Sequence, residues 1–452
     1  MEILLVRPGR ALSGHLDNKG EGGYPGDKSI SHRAALFAAL ADGESLITNF
    51  QVSGVTTPML TALSAMGIGW SLEGTTLSVH GKGFHGWLDP LTTIFCGNSA
   101  TTMRLLTGAM AAVGIKAELD GSPGLRRRPM GRIVEPLKQM GVRISSTDGC
   151  APLFLEPSAY PLKKGTFPLE VASAQVKSCL LLAGLRSEGE VTLVEPAPSR
   201  DHTERMLREM GVNIQTRSEK QGRFPGIQTS MHPPQPLMLK PLHMEIPGDF
   251  SAAAFLLAAA CIVEGSDLEI HGVGMNPTRT GLLDALNRMG ASIEIHEASS
   301  QSGEPVGDLH IRYKPLKGIS IAGEDVVRMI DEFPAFAIVA AFADGETVVR
   351  DAAELRYKES DRITDLCREL RKLGVEISEL PDGFRVIGKR IIQGGVADPR
   401  GDHRLAMAFA LSGLAAKNGV KVLQPEIIHE SFPNFRQVLQ HLGADIFLMD
   451  ES

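Results

Sequence analysis

A short pattern recurs six times along the chain: a helical run ends in Met-Gly or Leu-Gly and passes at once into a β-prone segment. The copies lie at 63–68, 137–142, 207–212, 286–291, 370–375 and 439–444, and their glycines stand at 67, 141, 211, 290, 374 and 443. A glycine in that place fits the left-handed position that closes a helix before a strand begins. Six copies at near-even spacing make this a repeat protein, and no other feature narrows the fold as far.

A second kind of helix accompanies the first. The stretches 34–40, 176–185, 252–263, 336–342 and 405–416 are rich in small apolar residues and lead into a glycine and a strand. Helices that are apolar nearly all round must be buried, whereas the Met-Gly helices carry charge on one side and are amphipathic. The repeating unit therefore has one inner helix, one outer helix and several strands, an α/β arrangement in which each unit needs neighbours to cover its apolar faces. At 452 residues the chain exceeds a typical single core. A Pro-rich stretch at 225–247 parts the third unit from the fourth. The expected organisation is three repeats in each of two similar domains, 24–245 and 246–452, with 1–23 pairing into the second. The two crossings, near 22–26 and 243–248, are expected to form a hinge, and 298–307 is expected to be a long hairpin loop.

The starts of the inner helices carry the chemistry. They read Gly26-Asp27-Lys28-Ser29, Gly97-Asn98-Ser99-Ala100, Ala172-Ser173-Ala174-Gln175, Pro247-Gly248-Asp249, Asp331-Glu332-Phe333 and Gly401-Asp402-His403-Arg404. Cap-type residues leave backbone N–H groups pointing forward, and such ends attract anions. If the units pack symmetrically, these ends converge on one strong anion site. That site must be a local concentration of Lys and Arg, because the chain as a whole carries a net charge of −7. The acidic balance and the 5% aromatic content argue against nucleic acid and anionic membrane as partners. Five scattered cysteines show no metal-ligand spacing and fit a reduced cytoplasm better than a disulfide framework. No signal-peptide pattern opens the chain, and its longest apolar run is too short to span a bilayer. The Gly-Lys-Ser motif of a P-loop is broken by Asp27, and no dinucleotide fingerprint stands out.

Taken together, several motifs resemble the 5-enolpyruvylshikimate-3-phosphate synthase (3-phosphoshikimate 1-carboxyvinyltransferase) family over essentially the whole chain. They are Gly26-Asp-Lys-Ser-x-Ser-His-Arg33, Gly97-Asn98-x-x-Thr-x-Met-Arg104, Arg128-Pro129, Ser173-Ala-Gln175, Arg200-Asp-His-Thr203, Lys358-Glu359-Ser-Asp-Arg362, Asp402-His-Arg404 and Ser431-Phe-Pro433. The resemblance implies two domains of three βαβαββ-type units and a cytoplasmic transferase of aromatic amino acid biosynthesis, expected as a monomer. It implies transfer of the enolpyruvyl group of phosphoenolpyruvate to the 5-hydroxyl of shikimate 3-phosphate, with release of phosphate and with no cofactor or metal. Asp331 and Glu359 match the family's acid/base carboxylates, with Lys28 as a competing or assisting proton donor. Lys28, Ser29, Arg33, Ser173, Ala174, Gln175, Arg200, Asp331 and Lys358 match shikimate 3-phosphate contacts. Lys28, Asn98, Ala100, Arg128, Gln175, Arg362 and Arg404 match the phosphoenolpyruvate side, where the planar fork of Arg suits carboxylate and phosphate. Without the resemblance, Asp331 reads as a helix cap and Glu359 as a solvated charge paired with Arg362 at i,i+3.

Departures from the family pattern carry their own expectations. Ala100 stands where the family usually has Gly, so its methyl group is expected to crowd the phosphoenolpyruvate pocket and reduce inhibition by glyphosate. Glu430 precedes Ser-Phe-Pro where many relatives have Lys, and a carboxylate there is expected to weaken phosphoenolpyruvate affinity. Two rivals remain: a non-catalytic anion-binding relative, and the sister transferase acting on UDP-N-acetylglucosamine. The sister enzyme typically has a Cys in the loop that here reads Gly121-Ser-Pro-Gly-Leu125, and its Lys-Asn pair is Lys28-Ser29 in this chain.

Overall fold

The computed structural model describes residues 2–20, 22–221 and 225–450, and all of their side chains except those of 297, 298 and 301. Parts of both expected domains, at 1, 21, 222–224, 451 and 452, lie outside the described residues.

All six repeat glycines have left-handed φ, at 79°, 93°, 96°, 97°, 90° and 99° in chain order. A side chain there would clash with its own backbone, so glycine ends each outer helix and turns the chain into the next strand. The helices so ended are Thr57–Ala65, Gly131–Gln139, His202–Glu209, Gly281–Met289, Arg362–Lys372 and Phe435–His441. The inner helices are α1 (Lys28–Leu40), α2 (Ala100–Val113), α3 (Ala174–Gly184), α4 (Phe250–Ile262), α5 (Phe333–Phe342) and α6 (His403–Gly413). Every residue of α4 and of α5 is buried, as their unbroken apolar sequences require.

Six four-stranded sheets accompany the helices. In one of them Gly165–Pro168 lies parallel to Val191–Glu195, which pairs antiparallel with Gly226–His232, and Asn213–Glu219 completes the hairpin on the outside. Read with its helices this is a βαβαββ unit. Three sheets borrow a strand from far along the chain, two of them as follows. His243–Glu245 runs parallel to Asp42–Thr48, and Glu2–Arg7 inserts between Val420–Leu423 and Asp445–Asp450.

The chain divides into two compact units, each with its own hydrophobic core. One comprises Lys28–Ile246 with Gln301–Glu304 and holds α1–α3; the other comprises Met1–Asp27, Pro247–Ser300 and Pro305–Ser452 and holds α4–α6. In the second unit the chain crossings at Gly26 and Gly248 are bridged to each other, with Asp27 N–H on the Pro247 carbonyl at 2.8 Å and Asp249 N–H on the Pro25 carbonyl at 2.9 Å.

One further sheet contains strands β1 (Ser13–Leu16), β2 (Asp267–Gly274), β3 (Ser292–Gln301) and β4 (Glu304–Arg312), in the order β3-β4-β2-β1. The long loop expected at 298–307 is a correction: β3 and β4 run nearly to each other and only Ser302-Gly303 joins them. Both joining residues have positive φ, 49° and 79°, as a tight hairpin with the strands' natural twist demands. The polar Ser299-Ser300-Gln301 run reads as loop in sequence, but it lies on an edge strand, where polar residues are at home.

Candidate active site

In the Lys28–Ile246 unit the starts of the three inner helices are tied together by side chains. Ser99 and Ser173 cap α2 and α3, accepting from the N–H groups of Thr102 and Val176. Gln175, at the start of α3, donates to Thr101 Oγ1 at 2.8 Å and accepts from Arg104 at 2.5 Å. Arg104 also donates to the Pro129 carbonyl at 2.9 Å, which fixes the turn carrying the buried Arg128. Arg104 therefore holds Gln175 and the Arg128 turn in register. Asn98 lies 3.1 Å from Ser122 Oγ in the loop before that turn, and Ala100 is the first residue of α2 and only 2% exposed.

At the start of α1, Arg200 reaches Ser29 Oγ at 3.4 Å. Arg33 is buried and donates to Thr203 Oγ1 and Ser178 Oγ, each at 2.8 Å, and to the Ser29 carbonyl at 2.9 Å. Arg33 thus joins α1 to α3 and to the start of the His202–Glu209 helix, whatever else it contacts. His32 is also buried: Nδ1 lies 2.8 Å from the Lys28 carbonyl, and Nε2 lies 2.9 Å from the Val55 carbonyl and 3.2 Å from Ser99 Oγ. Burial above all lowers its pKa to about 4, so the ring is neutral and orients its neighbours. Lys28, Ser29, Ser173, Ala174, Gln175, Arg128 and Arg200 are thereby carried on three adjoining helix starts and their connecting turns. This end combines oriented N–H donors with fixed cations, a receptor suited to phosphate or carboxylate.

The other unit repeats the device with acids added. Asp249 caps α4 through the Ser251 N–H, and Asp402 caps α6 through the N–H groups of Arg404 and Leu405. Glu332 stands at the cap position of α5 but makes no cap bond, and accepts instead from Ser251 Oγ. Asp331 therefore is not the helix cap that the sequence alone suggests. Three cations surround its carboxylate: Lys358 Nζ at 3.3 Å, Arg362 Nη1 at 3.6 Å and Arg404 Nη2 at 3.8 Å. Arg404 also donates to the Asp331 carbonyl at 3.1 Å. Arg362 binds Glu359 at 2.6 Å and Asp402 at 2.7 Å. Burial disfavours its charge, but the carboxylates of Asp402 and Glu359 outweigh burial and hold its pKa above the usual arginine value. Glu430 lies 3.4 Å from Nδ1 of the buried His403. The arrangement offers a carboxylate with an acceptor oxygen among three cations of the kind that suit phosphate or carboxylate, and a second carboxylate, Glu359, on the shared Arg362.

Comparison with known proteins then decides the family. The profile of the family described as EPSP synthase (3-phosphoshikimate 1-carboxyvinyltransferase) matches residues 13–439. This chain belongs to the EPSP synthase family. It is 44% identical over 442 residues to the 3-phosphoshikimate 1-carboxyvinyltransferase of Citrifermentans bemidjiense, covering 97% of this chain and 99% of that protein. It is also 44% identical over 427 residues to the Desulfitobacterium hafniense enzyme, covering 94% and 95%. The solved EPSP synthase from Acinetobacter baumannii superposes with a TM-score of 0.85 at 36% identity, covering 100% of both chains. The enolpyruvyl transferase NikO from Streptomyces tendae shares the fold, with a TM-score of 0.76 at 20% identity over 100% of this chain and 99% of that one. An EPSP synthase is a transferase of the shikimate pathway, in aromatic amino acid biosynthesis, and the α/β fold with its six small sheets is that of the enolpyruvyl transferases. Among the described residues no helix is long and apolar enough to cross a membrane.

Two groups beside these sites escaped sequence reasoning. Lys177, in the second turn of α3, is 2% exposed, and its Nζ lies 2.9 Å from Glu195 and 2.7 Å from Glu204. It also reaches the carbonyl of Ser199 at 3.4 Å, next to Arg200. Burial raises the pKa of Glu204, and Lys177 offsets only part of that effect. In the other unit, buried Arg279 pairs with Asp27, with Asp249 at 3.1 Å and with Ser251 at 2.7 Å. The Asp27 carboxylate, which the sequence places at the opening of α1, engages Arg279, 252 residues away. The signal available was a Lys inside a mostly apolar inner helix.

Proposed function

We propose that the chain transfers the enolpyruvyl group of phosphoenolpyruvate to the 5-hydroxyl of shikimate 3-phosphate. Asp331 takes the hydroxyl proton, for which an ionised carboxylate is a suitable acceptor. Glu359 protonates the methylene carbon of phosphoenolpyruvate, with Lys28 assisting. The hydroxyl oxygen bonds to the central carbon, giving a tetrahedral adduct. Return of a proton from the methyl group and departure of phosphate restore the double bond on the product. Ser173, Ala174, Gln175, Ser29, Arg33, Arg200 and Lys358 serve shikimate 3-phosphate; Lys28, Asn98, Arg128, Arg362 and Arg404 serve phosphoenolpyruvate. The protein works as a monomer in the cytoplasm, and Ala100 reduces its inhibition by glyphosate.

The observation that carries this reading is the Asp331 carboxylate held among Lys358, Arg362 and Arg404 in a chain matched to the family from 13 to 439. Incubation with phosphoenolpyruvate and shikimate 3-phosphate in heavy water tests it. The acceptor should gain the mass of an enolpyruvyl group with deuterium in its methylene, and both should be lost in Asp331→Asn. Deuterium uptake that survives in Glu359→Gln but not in Lys28→Met would move the carbon-protonating role to Lys28.

A further inference from the structure

The sheet formed by β3, β4, β2 and β1 has one apolar face and one polar face. In β2, Leu268 and Ile270 point into the core, while Asp267 and Glu269 alternate with them and face outward. Register carries the alternation across the sheet. Asp267 stands opposite Arg312, and Glu269 stands between His310 on β4 and His15 on β1. On the edge strand β3, Glu294 and His296 are two residues apart and share the outward face, with 3.4 Å between them.

One ligand atom from each of Glu294, His296 and His310 lies within 4.8 Å of the others. We propose that these three side chains bind a divalent transition-metal ion, zinc above all, at a surface site remote in sequence from the substrate-binding residues. Two imidazoles and one carboxylate form the three-ligand set that zinc takes with a water in the fourth position. The same set is poor for calcium or magnesium, which favour oxygen. Ligands about a tetrahedral zinc at ~2.0–2.1 Å stand roughly 3.4 Å apart, the separation Glu294 and His296 already have, and no pair has more than about 1.4 Å to close. Glu294 and His296 are more than half exposed and have room to do so.

A supporting shell is already built. Asp267 Oδ1 lies 2.6 Å from Nε2 of His310, the carboxylate–imidazole pairing that fixes a ligating histidine's tautomer and leaves Nδ1 to the metal. Arg312 is the internal competitor. Its guanidinium sits 3.4 Å from His310 Nδ1 and 3.3 Å from Glu294, close to where the ion would be. It can swing toward Asp267, whose second oxygen is 3.5 Å away. The nearby carboxylates of Asp267, Glu269 and Glu294 outnumber Arg312, so the face favours a cation.

The test is zinc chloride competed against a chromophoric zinc indicator, using the full chain without a histidine tag and freed of metal. One equivalent should bind, and magnesium should not displace it. His296→Ala and His310→Ala should each weaken binding at least tenfold, Asp267→Asn about 10- to 100-fold, and Arg312→Gln should tighten it several-fold. Circular dichroism of each variant confirms folding. Failure of zinc to bind stoichiometrically, or binding unchanged in both histidine variants, overturns the proposal.

Discussion

Arg362 donates to Glu359 at 2.6 Å from a position that is only 1% exposed. The i,i+3 spacing is that of an ordinary surface pair, yet the guanidinium is buried and shared with Asp402. Removing one partner of such a cluster leaves carboxylates buried without their counter-charge, which costs about 3–5 kcal/mol. Arg362→Met should therefore lower the urea midpoint and reduce kcat/KM at least ~100-fold, a loss of roughly 2.7 kcal/mol in transition-state binding. Arg362→Lys, which keeps the charge but not the fork, should recover stability better than activity. Wild-type kcat/KM in Arg362→Met would remove this residue from the site.

Lys177 balances Glu195 and Glu204 beneath the segment that presents Arg200. Lys177→Met should destabilise the protein by about 3–5 kcal/mol, because it strands two buried carboxylates. It should also raise KM for shikimate 3-phosphate more than it lowers kcat. Adding Glu204→Gln should restore part of the stability, as measured by urea unfolding.

His32 gives the fold an acid sensitivity with a definite sign. Its pKa is about 4 when folded and near 6.5 when exposed, so between those values the unfolded chain binds more protons. Stability should fall as pH drops from about 6.5 toward 4, with a slope from this group approaching 1.4 kcal/mol per pH unit. His32→Asn should flatten that part of the profile of unfolding free energy against pH. A wild-type slope in the variant would assign the effect elsewhere.

Ala100 is the first residue of α2 and is buried as a member of a hydrophobic core cluster. Ala100→Gly removes the methyl group from that helix start. The expected outcome is glyphosate inhibition at least tenfold tighter, with a smaller change in KM for phosphoenolpyruvate. An inhibition constant that is already low and does not change on substitution contradicts the proposed role.

Much of the architecture is written locally, and that part could be read from the chain. Each repeat glycine sits between a helix and a strand, and its left-handed backbone is a property of that one position. Ser99, Ser173, Asp249 and Asp402 cap helices within three residues of themselves, so their motifs are equally visible. What was hidden depends on residues far apart. The Arg279 that pairs with Asp27 lies 252 residues along the chain, and Lys177 looks like an intruder in its helix until two glutamates close around it. Glu294, His296 and His310 have no motif spacing because two adjacent strands, not one segment, bring them together. The turn at Ser302-Gly303 was misread because an exposed edge strand and a loop share the same polar composition.

The most direct measurement is phosphate release from phosphoenolpyruvate with shikimate 3-phosphate as acceptor and UDP-N-acetylglucosamine as control. Release that requires shikimate 3-phosphate and disappears in Asp331→Asn is the predicted result. Release with the nucleotide sugar instead, or with neither acceptor while shikimate 3-phosphate still binds, would contradict the assigned reaction.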